Sequence, residues 1–260
     1  VGPFAAMFFL VAAIPTFLWV VERGRSRRLK GGFRSYLGIG FRRVRATFKD
    51  LRHYRDLAIL LVSVFFAMAG IYIIISFTFI YGAQVIQWDE QVRIIMFVTV
   101  QLTAAAGALG FGFLQDRMGA RTIYLATLML WIVAVTLIFA TPWLGQVLPL
   151  EAQHVFLMVG SVAGLCLGST QSAGRALVGV LAPRPRAAEF FGFWGLASKM
   201  AAILGLMGLG LLQVLVGLHV SILFCSLLFA LALVVALGLD EARGRRVAEE
   251  RECPRRVNLL

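Results

Sequence analysis

The chain has 260 residues, of which 60% are hydrophobic and only 15% charged, with a mean hydropathy of +0.86. Soluble domains carry about a quarter charged residues, and a water-exposed surface of this composition would leave large apolar patches, so a soluble globular fold is excluded. The net charge of +12 would suit a nucleic-acid binder, but the basic residues follow membrane topology instead, and no nucleic-acid partner is expected.

A spanning helix needs about 20 mostly apolar residues. That window predicts seven spans, over 1–21, 57–83, 93–114, 122–141, 153–179, 190–213 and 218–239. The apolar runs are continuous rather than alternating, which predicts an all-α polytopic membrane protein and not a barrel. The first span contains Pro15, expected to kink or end it. It opens on Val1 with no basic stretch before it, and reads as a span entered partway through a longer chain rather than as a signal peptide. The segment 22–56 is the longest polar stretch. Within it Phe41, Val44, Phe48 and Leu51 recur at spacings of three and four, with Arg42, Arg43, Arg45, Lys49 and Arg52 on the other faces. This predicts a basic amphipathic helix lying on the membrane surface. The run 57–83 is about 40 Å long at helical rise, so it should tilt, kink or protrude. The tail, 240–260, is mixed in charge and expected to be disordered.

Twelve of the Lys and Arg residues lie between Glu22 and Asp56. Arg117 and Arg121 follow the third span, Arg184 and Arg186 the fifth, and six more lie in the tail. All of these fall on one side of the membrane, with Arg93 on the other, so the positive-inside rule makes the basic side cytoplasmic. Arg175 and Lys199 remain inside spans, where charge is costly and usually functional. Gln171 lies one turn from Arg175 on the same face. These three are the leading candidates for the substrate pathway, suited to attract an anionic group such as a carboxylate. The structural alternatives are snorkelling of Arg175 and an interhelical clamp by Lys199. Glu189 is expected as a gate ion pair with Arg175 or a loop arginine. Gln101, Tyr72 and Ser76 are weaker pathway candidates, since such residues also hold helices together. Trp194 reads as lipid-facing or interfacial packing ahead of a pathway role. Gly160, Gly164, Gly168, Ser172 and Ala176, spaced by four, form a small-residue face expected inside the bundle in preference to a dimer interface.

Cys166, Cys225 and Cys253, and His53, His154 and His219, are scattered, so no disulfide framework, metal site or cofactor is expected. No Ser–His or paired-Asp arrangement lies within the spans, and no phosphate-binding loop is present, so no catalytic residues and no enzymatic activity are assigned.

The loop Gly112-Phe-Leu-Gln-Asp116-Arg117-Met-Gly119-Ala-Arg121 resembles the G-x-x-x-D-R-x-G-x-R loop of the major facilitator superfamily, which joins the second and third helices of a bundle. Gly112 should let backbones approach closely and Gly119 should permit a tight turn. Asp116 suits a helix N-terminus or a nearby arginine, and Arg117 and Arg121 suit carbonyls or carboxylates. In the family this loop acts as a cytoplasmic latch. A second pattern is Gly168-Ser-Thr-Gln171 with Arg175, then Ala182-Pro183, Glu189-Phe-Phe-Gly192 and Lys199-Met-Ala-Ala-Ile-Leu-Gly205. It resembles the autophagy-related vacuolar effluxer family and its bacterial relatives, a branch of that superfamily. Ile75–Ala83, Gln101 and Gly107-Ala108 fit the same pattern. Ala69 stands where a polar or acidic residue is common, so proton coupling is not carried over, and Ala106 stands where a proline is common, which bears on how that helix bends.

The resemblance spans the chain but only the second half of the family. It implies that 1–21 is the last helix of an amino-terminal bundle, 22–56 a cytoplasmic linker, 57–239 a six-helix carboxy-terminal bundle and 240–260 a cytoplasmic tail. It further implies a secondary transporter of small polar solutes such as amino acids. The expected partners are the lipid bilayer, a small-molecule solute and a missing amino-terminal bundle, with a cell (inner) membrane preferred over a vacuole. The second reading is a non-transporting membrane fragment or scaffold that needs a partner bundle.

Overall fold

The computed structural model describes residues 2–19, 48, 50–147 and 151–252. The chain divides into two compact units, residues 1–44 and 45–260. In the first, α1 (Gly2–Trp19) passes through Pro15 without ending. A proline removes one backbone bond, a smaller cost than exposing a whole helix terminus in an apolar setting.

The second unit contains α2 (Arg55–Tyr81), α3 (Glu90–Met118), α4 (Ala120–Val147), α5 (Ala152–Leu181), α6 (Ala187–Val216), α7 (Leu218–Ser221), α8 (Leu223–Leu237) and α9 (Glu241–Glu252). Six stretches, Arg55–Ile86, Glu90–Met118, Ala120–Val147, Ala152–Leu181, Arg184–Val216 and Leu218–Leu237, are long and apolar enough to cross a membrane. Regular structure among the described residues is helical throughout. The chain is an all-α, multi-pass integral membrane protein.

The helices run past the expected span ends because hydropathy follows only their apolar part, whereas α3, for example, stays helical through Arg117. The long α2 widens into a π turn at Gly82–Ile86 and stops at Gln87, whose φ is 57°. The Trp88 ring covers Gly82 so closely that a Cβ there would lie 2.5 Å from it. The last span is not one helix: α7 ends at Ser221 and α8 starts at Leu223. Three turns have local causes. Gly119, at φ 85°, reverses the chain between α3 and α4, and Gly217, at φ 80°, ends α6. Ala182 is extended because Pro183 follows it.

Residues 41–47 and 49 of the expected amphipathic helix lie outside the described residues. Of its apolar stripe, Phe48 is helical with its ring 6.3 Å from that of Phe193, and Leu51 belongs to the 3-10 turn Leu51–His53.

The small-residue face of α5 packs on α3. A Cβ at Gly160 would strike Met96, one at Gly164 Thr103 and the Val100 backbone, and one at Gly168 the Ala104 carbonyl. In return, Gly107 of α3 lies against the backbone of Leu165. The other helices close around a buried aromatic pair, Trp131 stacked on Phe229 at 4.9 Å. Trp131 Nε1 donates to Thr170 Oγ1 at 3.1 Å. Ser63 donates to the Ala232 carbonyl at 2.8 Å and shares a 3.0 Å hydrogen bond with the Tyr124 hydroxyl, fastening α2 to α8 and α4.

The start of the tail is ordered helix, contrary to the expected disorder; residues 253–260 lie outside the described residues. The reason is Asp56, buried at the head of α2. Its carboxylate accepts two bonds from the Arg243 guanidinium, at 2.6 and 2.9 Å, and one from the Asp240 N–H at 2.8 Å. Asp240 in turn caps α9 by accepting from Arg243 N–H at 2.9 Å. Gly244 and Ala248 are buried one turn apart, and Arg251 lies over the Tyr54 ring at 5.1 Å. Hydrogen bonding to Asp56 holds the Arg243 guanidinium above its usual pKa.

Three outcomes follow from this packing. Gly168→Val should destabilise by about 2 kcal/mol or more and lower Tm by roughly 4–8 °C, since backbone rather than a flexible side chain blocks the site. Gly179→Ala, where a Cβ meets nothing within 4 Å, should leave Tm unchanged or slightly raised. Asp56→Asn should free α9, with hydrogen exchange of amides 241–252 rising roughly tenfold while the spans stay protected.

Candidate functional site

The two cations inside the spans each meet an aromatic ring. Lys199 lies twelve residues into α6, about 18 Å along its axis. Its Nζ is 3.3 Å from the Tyr72 hydroxyl and 5.3 Å from the centre of the Tyr72 ring. Arg175, near the end of α5, reaches Gln171 Oε1 at 3.4 Å, and its guanidinium lies 5.1 Å from the Trp194 ring centre. Lys199 and Arg175 are exposed, and neither has a carboxylate partner among the described residues.

Local sequence positions both groups. Ser198 is buried and bonds back to the Trp194 carbonyl at 2.8 Å, while Ala201, Gly205 and Leu209 carry the buried stripe of α6. Gly205 meets Ala69 of α2, where an added Cβ would lie 3.0 Å from the alanine Cβ. This Ala–Gly crossing brings α2 and α6 close enough for Tyr72 and Lys199 to touch. A longer side chain at Ala69, itself 2% exposed, would separate them. Trp194 sits beneath Arg175, and its buried Nε1 has no hydrogen-bond partner among the described residues, so a residue expected to serve packing ahead of a pathway lies against a pathway candidate.

The remaining candidates are dispersed. Gln101 lines a cavity of about 320 Å³ between α2, α3, α4 and α5, with Phe79, Trp131, Phe156 and Gly164 among its walls. Thr78 is there too, but its hydroxyl is turned to the Ile74 carbonyl of its own helix. Gln101 is thus a lone long polar side chain facing an apolar space. Ser76 is exposed and makes no hydrogen bond among the described residues. Glu189 pairs with the loop arginine Arg186 at 3.0 Å, and Arg186 also holds Asp50 at 3.0 Å.

At the loop between α3 and α4, Gly119 makes the turn, but Gly112 lies in open space. A Cβ there meets nothing within 4 Å, so the close backbone approach expected at this position is not made within the unit. Asp116 and Arg117 are exposed and form no ion pair among the described residues. The anion at the start of α4 is instead Glu241 of α9, whose Oε2 accepts from the Arg121 N–H at 2.9 Å, while Arg121 Nη2 donates to the Leu237 carbonyl at 3.1 Å. Glu241, Asp56 and Asp50 escaped the sequence reading. The available signal was Asp56, a lone acid at the head of a long apolar run.

The family model described as vacuole effluxer Atg22 like matches residues 3–249. The chain belongs to the vacuole effluxer Atg22-like family. Among curated relatives, it is 27% identical over 212 residues to an uncharacterized MFS-type transporter, YxiO, of Bacillus subtilis, covering 81% of this chain and 47% of that protein. It is 25% identical over 231 residues to autophagy-related protein 22 of Saccharomyces cerevisiae, covering 84% and 42%. The Yarrowia lipolytica protein of the same name is 23% identical over 270 residues, covering 94% and 44%. The chain therefore spans about half the length of the curated relatives it matches. No solved structure gives a significant match.

The Lys199–Tyr72 contact has an energetic signature. In a double-mutant cycle with Lys199→Met and Tyr72→Phe, the thermal stability of the purified protein should show a coupling of about 0.5–1 kcal/mol. Additive effects of the two changes would mean that the pair does not interact.

Proposed function

We propose that this chain is the carboxy-terminal half of a secondary transporter of the major facilitator type, moving small polar or zwitterionic solutes such as amino acids. On this reading 1–21 is the last helix of the amino-terminal bundle, 22–56 the linker, 57–239 the second bundle and 240–260 the tail. The positive-inside rule puts the basic end in the cytoplasm, and the membrane on this reading is a cell (inner) membrane. The other bundle comes from the rest of a longer protein or from a partner chain, because alternating access rocks two bundles about a midplane site.

One observation carries the reading. Lys199 is exposed near the middle of α6 and faces a phenol ring, with no carboxylate partner among the described residues. An ammonium at the bilayer centre costs about 2.5–3.5 kcal/mol even on insertion scales. A polar path between two bundles removes that cost and gives the charge a task, to meet the carboxylate of a solute. Arg175, with Gln171 and Trp194, offers a second cation nearer the basic end. Tyr72 meets Lys199 on that path, Gln101 faces the separate apolar cavity and Ser76 an exposed face of α2, Glu189 with Arg186 forms a gate pair, and Gly112 to Arg121 act as the latch against the missing bundle. The family's description as vacuole effluxer Atg22 like and a relative's name, MFS-type transporter, support transport as the activity.

In the full-length protein reconstituted in liposomes, Lys199→Met and Arg175→Gln should each slow flux of a labelled amino acid by about tenfold or more. Arg93→Gln, which removes an exposed pair with Glu90, should not. Wild-type flux in both pathway variants would remove these residues from the mechanism. No flux of any amino acid by the wild type would favour the scaffold.

A further inference from the structure

Two arginines at the head of α2 are left over from the packing of the basic end. The other guanidiniums beside them are engaged, Arg186 by Asp50 and Glu189, Arg243 by Asp56 and Arg121 by the Leu237 carbonyl. Arg52, in the 3-10 turn before α2, and Arg55, its first residue, are exposed and form no ion pair among the described residues. The neighbouring carboxylate, Asp56, is buried and bound by Arg243 at 2.6 Å, and it acts on Arg55 only through its field, without an ion pair.

These two arginines border a groove of about 360 Å³. Its other walls are Ala58, Ile59 and Val62 of α2 and Val235 of α8. Arg55, Ile59 and Val62 recur at spacings of four and three, on one face of the helix. From Arg55 to Val62 the axis rises about 10 Å. The groove thus changes character once along its length, from two cations at the basic end to an aliphatic floor toward the middle of the span.

That sequence of surfaces selects a ligand. A water-soluble anion would satisfy the arginines and leave the aliphatic floor empty. A neutral lipid would fill the floor and leave two guanidiniums unanswered. A phospholipid with an anionic headgroup matches both. The groove also lies at the end of the spans where basic residues concentrate, the side that faces the anionic leaflet under the positive-inside rule.

We propose that Arg52 and Arg55, with the groove of Ala58, Ile59, Val62 and Val235, bind one anionic phospholipid, its phosphate on the guanidiniums and an acyl chain between α2 and α8. The bound lipid would fix the head of α2 at the headgroup level, whether or not the protein transports amino acids.

The test uses the full-length protein in nanodiscs and counts retained lipid by native mass spectrometry, with phosphatidylglycerol against phosphatidylcholine. Each basic residue near an anionic surface is worth about a factor of five, so the wild type should prefer phosphatidylglycerol by about tenfold or more. Arg52→Gln with Arg55→Gln should abolish the preference, and the corresponding pair of lysine substitutions should keep most of it. Val62→Trp, at an exposed position, fills the groove without changing charge and should also abolish it. An unchanged preference in the glutamine double variant would overturn the site. An unchanged preference in Val62→Trp would reduce it to general surface charge. Displacement of the lipid by an equal concentration of glycerol 3-phosphate would make it a free-anion site and overturn the lipid assignment.

Discussion

Inside a bilayer an apolar side chain gains little by leaving lipid for another side chain, so helices hold together through the closeness with which their backbones approach. In this protein that constraint is met at the contact of α3 with α5. Gly160, Gly164 and Gly168 turn toward Met96, Val100, Thr103 and Ala104, and Gly107 answers from α3. Among the described residues of α3 only Val92, Met96 and Gly107 are buried, so the helix hangs on this seam. The cavity beside Gln101 exists because the seam draws α3 in at Gly160 and Gly164 while Phe79, Trp131 and Phe156 hold the facing walls apart. The Ala69–Gly205 contact applies the same rule on the other side of the unit and sets the reach between Tyr72 and Lys199.

The charges sort by height. At the basic end Arg186 has the carboxylates of Asp50 and Glu189, Arg243 has that of Asp56, and Arg121 has the Leu237 carbonyl. Deeper in the spans, Arg175 and Lys199 face Trp194 and Tyr72 instead. A carboxylate there would have to be desolvated as well as the cation, whereas a ring offers its negative face without a second ionic cost. A cation held by a ring also keeps its full charge available to an incoming anion, which a salt bridge would cancel.

The basic end is tied across the sequence. Asp56 joins the head of α2 to α9, Glu241 joins α9 to the first turn of α4, and Arg251 covers Tyr54, whose ring meets Phe190 of α6 at 5.3 Å. Two spans thus bond to one short helix of the tail, and a third meets it through Tyr54. A change in their relative positions has to break or carry those bonds, which makes α9 mechanically part of the spans rather than an appendage.

Several features were legible in the residues alone. The number and order of spans from residue 57 onward follow from continuous apolar runs, because no other backbone arrangement satisfies its hydrogen bonds in lipid at that length. The inward placing of the small-residue face follows from its four-residue period, and the turn at Gly119 from its glycine. The family followed from spaced motifs whose letters sit on the right helices. The tertiary structure alone decided which partner each charge takes. Glu189 chose Arg186 over Arg175, Glu241 rather than Asp116 took the first turn of α4, and Asp56 drew the mixed-charge tail into a helix. Hydropathy and periodicity act within a run of neighbours and so can be read along the chain. The partner of a charge depends on which helix ends meet in space, across separations such as the 187 residues between Asp56 and Arg243, and no local pattern encodes that meeting.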